Sequence, residues 1–214
     1  VLTVPPPSGA DPEARTRIRD VALELFGERG VARTTVRAVA ERAGVSAALV
    51  IHHYGSKDGL RETCDEHVVT TVRDRKRAAL AGPDSDPVDA LRSWPGGQVL
   101  LRYLARTLVD GTPAVAALVD HLVDDAVGYT EEGVRAGRLR APRHPREQAA
   151  VLTLWALGAL VLREHGQRLL GVDLAGDPAA QGPYALVAAE LLTHGVLEPG
   201  YLDQLDPGLA GDPS

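Results

Sequence analysis

The chain has 214 residues, 44% hydrophobic and 24% charged, which is enough for one or two domains with a real core and ordinary for a soluble globular protein. A single cysteine, Cys64, excludes an intrachain disulfide framework. No N-terminal stretch joins basic residues to an apolar run, so no secretory signal is expected and a cytoplasmic location is.

Residues 1–11 carry Pro5, Pro6, Pro7 and Gly9 and little to bury, so they read as a disordered arm. A first helix starts near Asp11, with Pro12 in its first turn and Ile18, Val21, Ala22, Leu25 and Phe26 on its core face. Thr35 is placed to N-cap a second helix, in which Val36, Val39, Ala40 and Ala43 share one face. Gly44 suits a left-handed C-terminal cap, and Val45 would plug the gap between helices. Ser46 caps a third helix, Ala47 to about Tyr54, which Gly55 ends. A longer fourth helix runs from Lys57 to about Ala81 and would join head to body. Then come a short helix from Pro87 to Trp94, one from Gln98 to Asp110, and a long one from Pro113 to about Gly137. Arg146 to Gly171 reads as a single helix. Its stretch from Ala149 to Leu162 is apolar all round except for Thr153, and a helix with no polar face must be covered on both sides. The run is shorter than the roughly 20 residues that span a bilayer, so a partner chain is the expected cover. Tyr184 to His194 is a second strongly apolar helix. A short turn at Tyr201 to Leu205 and a frayed tail over 206–214 close the chain.

No stretch alternates with period two, so the expected fold class is all-α. Helix, tight turn and helix over residues 34–57 is the layout that places a second helix in the major groove of DNA. The net charge of −6 looks wrong for that role until it is divided along the chain. Residues 15–57 hold eight basic and four acidic side chains, a surplus of +4, which leaves −10 on the remainder. The expected organisation is therefore an arm (1–11), a three-helix helix-turn-helix DNA-binding domain (12–57), a larger helical bundle (58–205) whose apolar helices call for a partner chain, and a tail (206–214).

Thr35, Arg37, Val39, Ala40, Ala43, Gly44, Val45, Ser46, His53, Ser56, Lys57 and Leu60 match, in identity and spacing, the pattern of the DNA-binding end of the TetR family of bacterial transcriptional regulators, which this stretch resembles. Tyr54 stands where the family has Phe. Ile51 stands where it usually has a phosphate-binding Tyr. The resemblance in motif covers about residues 15 to 60. It implies a homodimer whose last two long helices form a four-helix bundle with their twins. It also implies a transcriptional repressor that binds a near-palindromic operator and leaves it when a small, largely apolar effector enters the body.

Phosphate contacts set register and base contacts set sequence. Thr35 and Ser46 can cap their helices and hydrogen-bond phosphates. His53 and Lys57 match family positions that hold the DNA backbone. Arg37 is the candidate for a guanine contact. Ala47 and Ala48 would let the third helix go deep, and His52 points outward beside them. Ile51 either leaves a phosphate to water or meets a thymine methyl. Candidate effector-pocket residues are Trp94, Leu101, Tyr103, Leu104, Leu118, Leu122 and Trp155, with Thr107 and His121 as polar handles. Leu154, Gly158, Leu162, Leu186 and Leu191 are the candidate dimer interface.

Two other functions compete with this one. An all-helical metal-dependent enzyme could use Asp120, His121, Asp124 and Asp125, which cluster on one helix, but matching ligands on other helices are not identifiable. There is no HExxH, glycine-rich phosphate loop or G-x-S-x-G, so neither catalysis nor a cofactor or metal is expected. The other is an effector-free module that binds DNA or protein.

Overall fold

The computed structural model describes residues 12–80 and 94–196. The arm, the short helix expected from Pro87, the turn at Tyr201 and the tail lie outside the described residues. Nine α-helices are described, with no strand among these residues: α1 Pro12–Arg29, α2 Val36–Ala43, α3 Ala47–Tyr54, α4 Lys57–Leu80, α5 Gly97–Asp110, α6 Pro113–Arg135, α7 Pro145–Val161, α8 Arg163–Leu170 and α9 Gly182–His194. A single 3-10 turn, Pro178–Gln181, precedes α9.

Local chemistry sets the head. Thr35 Oγ1 accepts from the Ala38 N–H at 3.1 Å, and Ser46 Oγ accepts from Leu49 N–H at 3.1 Å, so α2 and α3 each begin on a side-chain cap. Gly44 ends α2 at φ 68°, where a residue with a Cβ would be strained. Ile18, Leu25, Phe26, Val39, Val50 and Leu60 close the first core. That core does not stop at residue 57. It takes in Cys64 and Val68 of α4, and Leu100 and Tyr103 of α5.

α1 lies along α5 and comes close to it at Gly27. A Cβ there would sit 3.1 Å from the Tyr103 nitrogen and 3.3 Å from its Cα. α4 continues past the first core into a second, where Val69 meets Leu104, Leu118, Leu122, Leu157 and Leu160. The same helix thus belongs to both cores and mechanically joins them. α6 packs against α4 and α7, and ion pairs from Arg77 to Glu132 and from Arg73 to Asp125 tie α4 to α6 along their exposed edges.

The helix expected over Arg146 to Gly171 is two helices. The chain breaks at Leu162 (φ −89°, ψ 20°), and α8 starts afresh. No helix among the described residues is long and apolar enough to cross a membrane.

Candidate nucleic-acid interface

α3 divides its side chains between two surroundings. Val50 and Tyr54 are buried in the head, while Ser46, Ala47, Ala48, Ile51 and His52 are exposed together. Helical periodicity accounts for the split, since the buried pair recurs at i and i+4. Thr35 and Arg37, at the start of α2, are also exposed. Tyr54 anchors α3 rather than presenting itself. Its hydroxyl donates to the Arg15 carbonyl at 2.6 Å, and burial pushes its pKa up.

The surplus of basic residues in the head is partly spent internally. Arg17 Nε donates to the Ala43 carbonyl at 3.0 Å, which satisfies the end of α2. Arg42 pairs with Glu24 and Glu28, and Arg19 with Asp20. Lys57, expected on a phosphate, is half-buried, and its Nζ donates to the carbonyls of Val31 at 3.0 Å and Thr34 at 3.2 Å. It therefore braces the α1–α2 loop that leads into the Thr35 cap. Arg37 makes no ion pair with any described residue, so its guanidinium is available. His53 is half-buried, and its Nε2 has no hydrogen-bond partner among the described residues. The His52 and His53 rings lie edge to face, with centroids 5.5 Å apart. No group of three or more potential metal ligands is gathered among the described residues. Asp124 is held by Arg146 and Asp125 by Arg73.

The residues expected to line an effector pocket are dispersed. Tyr103 is buried in the first core, where its hydroxyl donates to Asp65 Oδ1 at 2.6 Å. Trp94 packs on that core, with the Arg75 guanidinium 4.5 Å over its ring. Leu104, Leu118 and Leu122 are buried in the second core, with Leu101 packed against it. Thr107 is buried, His121 is exposed and Trp155 is 39% exposed on the outer face of α7. The apolar arc of α5 is thus occupied by α1 and the second core, and periodicity could not say which neighbour would fill it.

The residues expected at a dimer interface are left without cover in the single chain. Leu154 is 61% and Leu186 74% exposed, and Leu162 and Leu191 are also exposed. Gly158 is half-buried, and no atom lies within 4 Å of where its Cβ would sit. Val151, Val161, Leu169, Val187 and Leu192 are further exposed apolar side chains on α7, α8 and α9.

Two family models match the chain: bacterial regulatory proteins of the tetR family over residues 18–64, and the tetracyclin repressor-like C-terminal domain over residues 98–198. A relative in Mycobacterium tuberculosis, the HTH-type transcriptional regulatory protein RaaS, is 42% identical over 156 residues, which cover 72% of each chain. The chain belongs to the TetR family. It is a TetR-family transcriptional regulator with a helix-turn-helix head. The HTH-type transcriptional regulator BetI of Stenotrophomonas maltophilia is 30% identical over 92 residues, covering 43% of this chain and 47% of that protein. Among solved structures, the fold is similar to NalD, the secondary repressor of the MexAB-OprM multidrug efflux pump in Pseudomonas aeruginosa. That match has 22% identity and a TM-score of 0.52, covering 88% of this chain and 98% of that one. It is also similar to a TetR-family regulator from Streptomyces coelicolor, at 19% identity and a TM-score of 0.55, covering 85% of this chain and 83% of that one.

Proposed function

We propose that this regulator is a homodimeric repressor that reads a near-palindromic operator through α3 and is released by a small, largely apolar effector. The observation that carries the DNA reading is the exposed patch of small and polar side chains at the start of α3, with Arg37 beside it and no acid paired to it. In this assignment Thr35, Ser46, His52 and His53 hold phosphates. Arg37 reads a guanine, and Ala47, Ala48 and Ile51 meet base edges or thymine methyls. Lys57 contributes the N–H it does not use on the loop carbonyls.

The dimer assignment rests on the many leucines and valines that α7, α8 and α9 leave exposed in the single chain. Effector release has its support in relatives of the same fold. NalD and SmeT are described as repressors of multidrug efflux pumps, and a Bacillus subtilis FadR was solved with stearoyl-CoA. Since the body residues first expected to line a pocket are packed, entry of an effector would part Leu101, Leu104, Leu118 and Leu122. Strain of that kind on the second core would reach α4, and so the head. Release requires the effector to bind the two arrangements with different affinity.

Selection of fragments from the source genome by the purified protein, at one stated salt concentration, tests this function. Enrichment of a two-fold symmetric site is expected. An unenriched pool from folded, dimeric protein counts against it.

A further inference from the structure

Between head and body lies a half-open cleft of about 590 Å³ that the apolar surface does not use and that shares only Lys57 with the DNA face. It forms where the end of α1 and its following loop meet the starts of α4 and α6 and the end of α5. Five basic side chains line it, Arg29, Arg33, Lys57, Arg61 and Arg106, against the two acids Asp58 and Asp110. In a chain of net charge −6 this is a local reversal of sign. Arg106 is answered by Asp110 at 3.0 Å, and Arg61 by Asp65. Arg29, Arg33 and Lys57 have no carboxylate partner among the described residues. The carbonyls that receive the Lys57 ammonium orient it without neutralising it. Positive charge held between protein walls is focused rather than dispersed in water.

A second, independent source of positive potential opens onto the same space. Thr112 and Ala114, at the N-terminus of the 23-residue α6, line the cleft, and the Thr112 side chain does not cap the helix. Pro113 has no N–H and the Val115 N–H bonds the Thr112 carbonyl at 2.9 Å, so at this end of the helix the Ala114 N–H is the one that faces an anion. The cleft's volume lies within the roughly 300–1,000 Å³ usual for small-ligand sites and far exceeds that of an inorganic ion. Val31 and Pro113 offer apolar cover for a carbon skeleton.

We propose that this cleft binds a small organic anion carrying a phosphate or carboxylate, clamped between Arg29, Arg33 and Lys57 of the head and Arg106 and the α6 N-terminus of the body. A ligand so placed touches α1 and α4 of the head together with α5 and α6 of the body. It braces the same loop that Lys57 ties to the Thr35 cap. If the head reads DNA as proposed above, the anion and DNA change each other's affinity by one common factor. The binding site itself does not depend on that reading.

The test is calorimetric titration of the full chain with inorganic pyrophosphate, at ionic strength fixed with sodium chloride and without DNA. Arg106→Gln removes a cation from the body side. Ala114→Glu puts a carboxylate at the second position of α6, where an acidic residue is compatible with the helix, and melting curves establish that both variants fold. Saturable binding of one pyrophosphate per chain, weakened at least tenfold in each variant, is the expected result. No saturable binding by the parent chain, or an affinity equal to the parent's in either variant, overturns the proposal. A DNA backbone phosphate offers the same chemistry, so the variants are also titrated with a non-specific duplex. A salt dependence unchanged by the substitutions supports a free anion. A slope reduced by about one in both variants assigns the cleft to DNA and overturns the small-ligand site.

Discussion

Leu154 offers a direct test of the apolar surface. It lies on the outer face of α7 with 61% of its area in water, so it contributes little to the subunit's own core. Burying a leucine completely is worth about 1.5–3 kcal/mol. Covering the exposed share is therefore worth about 1–2 kcal/mol, and two-fold symmetry counts it twice. Loss of that term alone weakens the dimer by on the order of 100-fold, since about 1.4 kcal/mol is a factor of ten. Leu154→Asp goes further. It would bring two unpaired carboxylates into a dry interface, at several kcal/mol each. The expected outcome in sedimentation velocity is a dimeric parent chain and a monomeric variant at tens of micromolar. Circular dichroism should find the helical content of the variant unchanged. A variant that dimerises as tightly as its parent, or a parent that is itself monomeric, would refute the reasoning.

Three further outcomes follow from the geometry. Gly27→Ala gains about 1 kcal/mol of helix propensity, but its methyl would press on the backbone of Tyr103 and Arg102, which cannot rotate aside. A net loss of about 1–2 kcal/mol is expected in urea melts, and a stabilised variant would show that α1 and α5 can part at no cost. Burial raises the pKa of Asp65, and the Tyr103 hydrogen bond and Arg61 offset this only in part. The native state therefore holds its proton more tightly than the unfolded chain, and stability is withdrawn as pH rises from the ordinary aspartate value through the raised one. Asp65→Asn lacks that loss, so the stability of the parent relative to the variant should fall across this window; parallel curves would exclude the mechanism. Ile51, 44% exposed on α3, stands at the position of the family's phosphate-binding tyrosine. Ile51→Tyr should tighten operator binding by about 1 kcal/mol, roughly fivefold, in anisotropy titrations. If affinity and site preference both stay put, Ile51 neither leaves a phosphate unmet nor touches a thymine methyl.

The head was legible because its determinants are local. Thr35, Ser46 and Gly44 do their work within four residues, and cap chemistry can be read at that range. Lys57 could be placed by spacing, but its carbonyl partners at Val31 and Thr34 lie more than twenty residues away, and no local pattern points to them. Only tertiary structure shows that several of the head's cations are spent on its own backbone and acids. The body was legible as helices and less so as surfaces. All-round apolarity in α7 calls for cover on two sides, and the single chain supplies one of them, at Leu157 and Leu160, and leaves Val151 and Leu154 in water. The break at Leu162 carries no glycine or proline, so it left no mark in the sequence. Tyr103 and Leu104 fit a pocket pattern and a core pattern equally well; the close approach of α1 at Gly27 places Tyr103 in the first core, and packing with Leu118, Leu122 and Leu157 places Leu104 in the second. The basic cleft leaves no pattern in the sequence because its cations come from the ends of three helices and one loop, far apart along the chain.

The central claim is that two α3 helices of one dimer read one operator. Hydroxyl-radical footprinting of a selected genomic site tests it most directly. Two symmetric protected segments on one face of the duplex, with centres about one helical turn or 34–36 Å apart, are the result this account predicts. A single protected half-site, or protection spread evenly along the fragment, would contradict it.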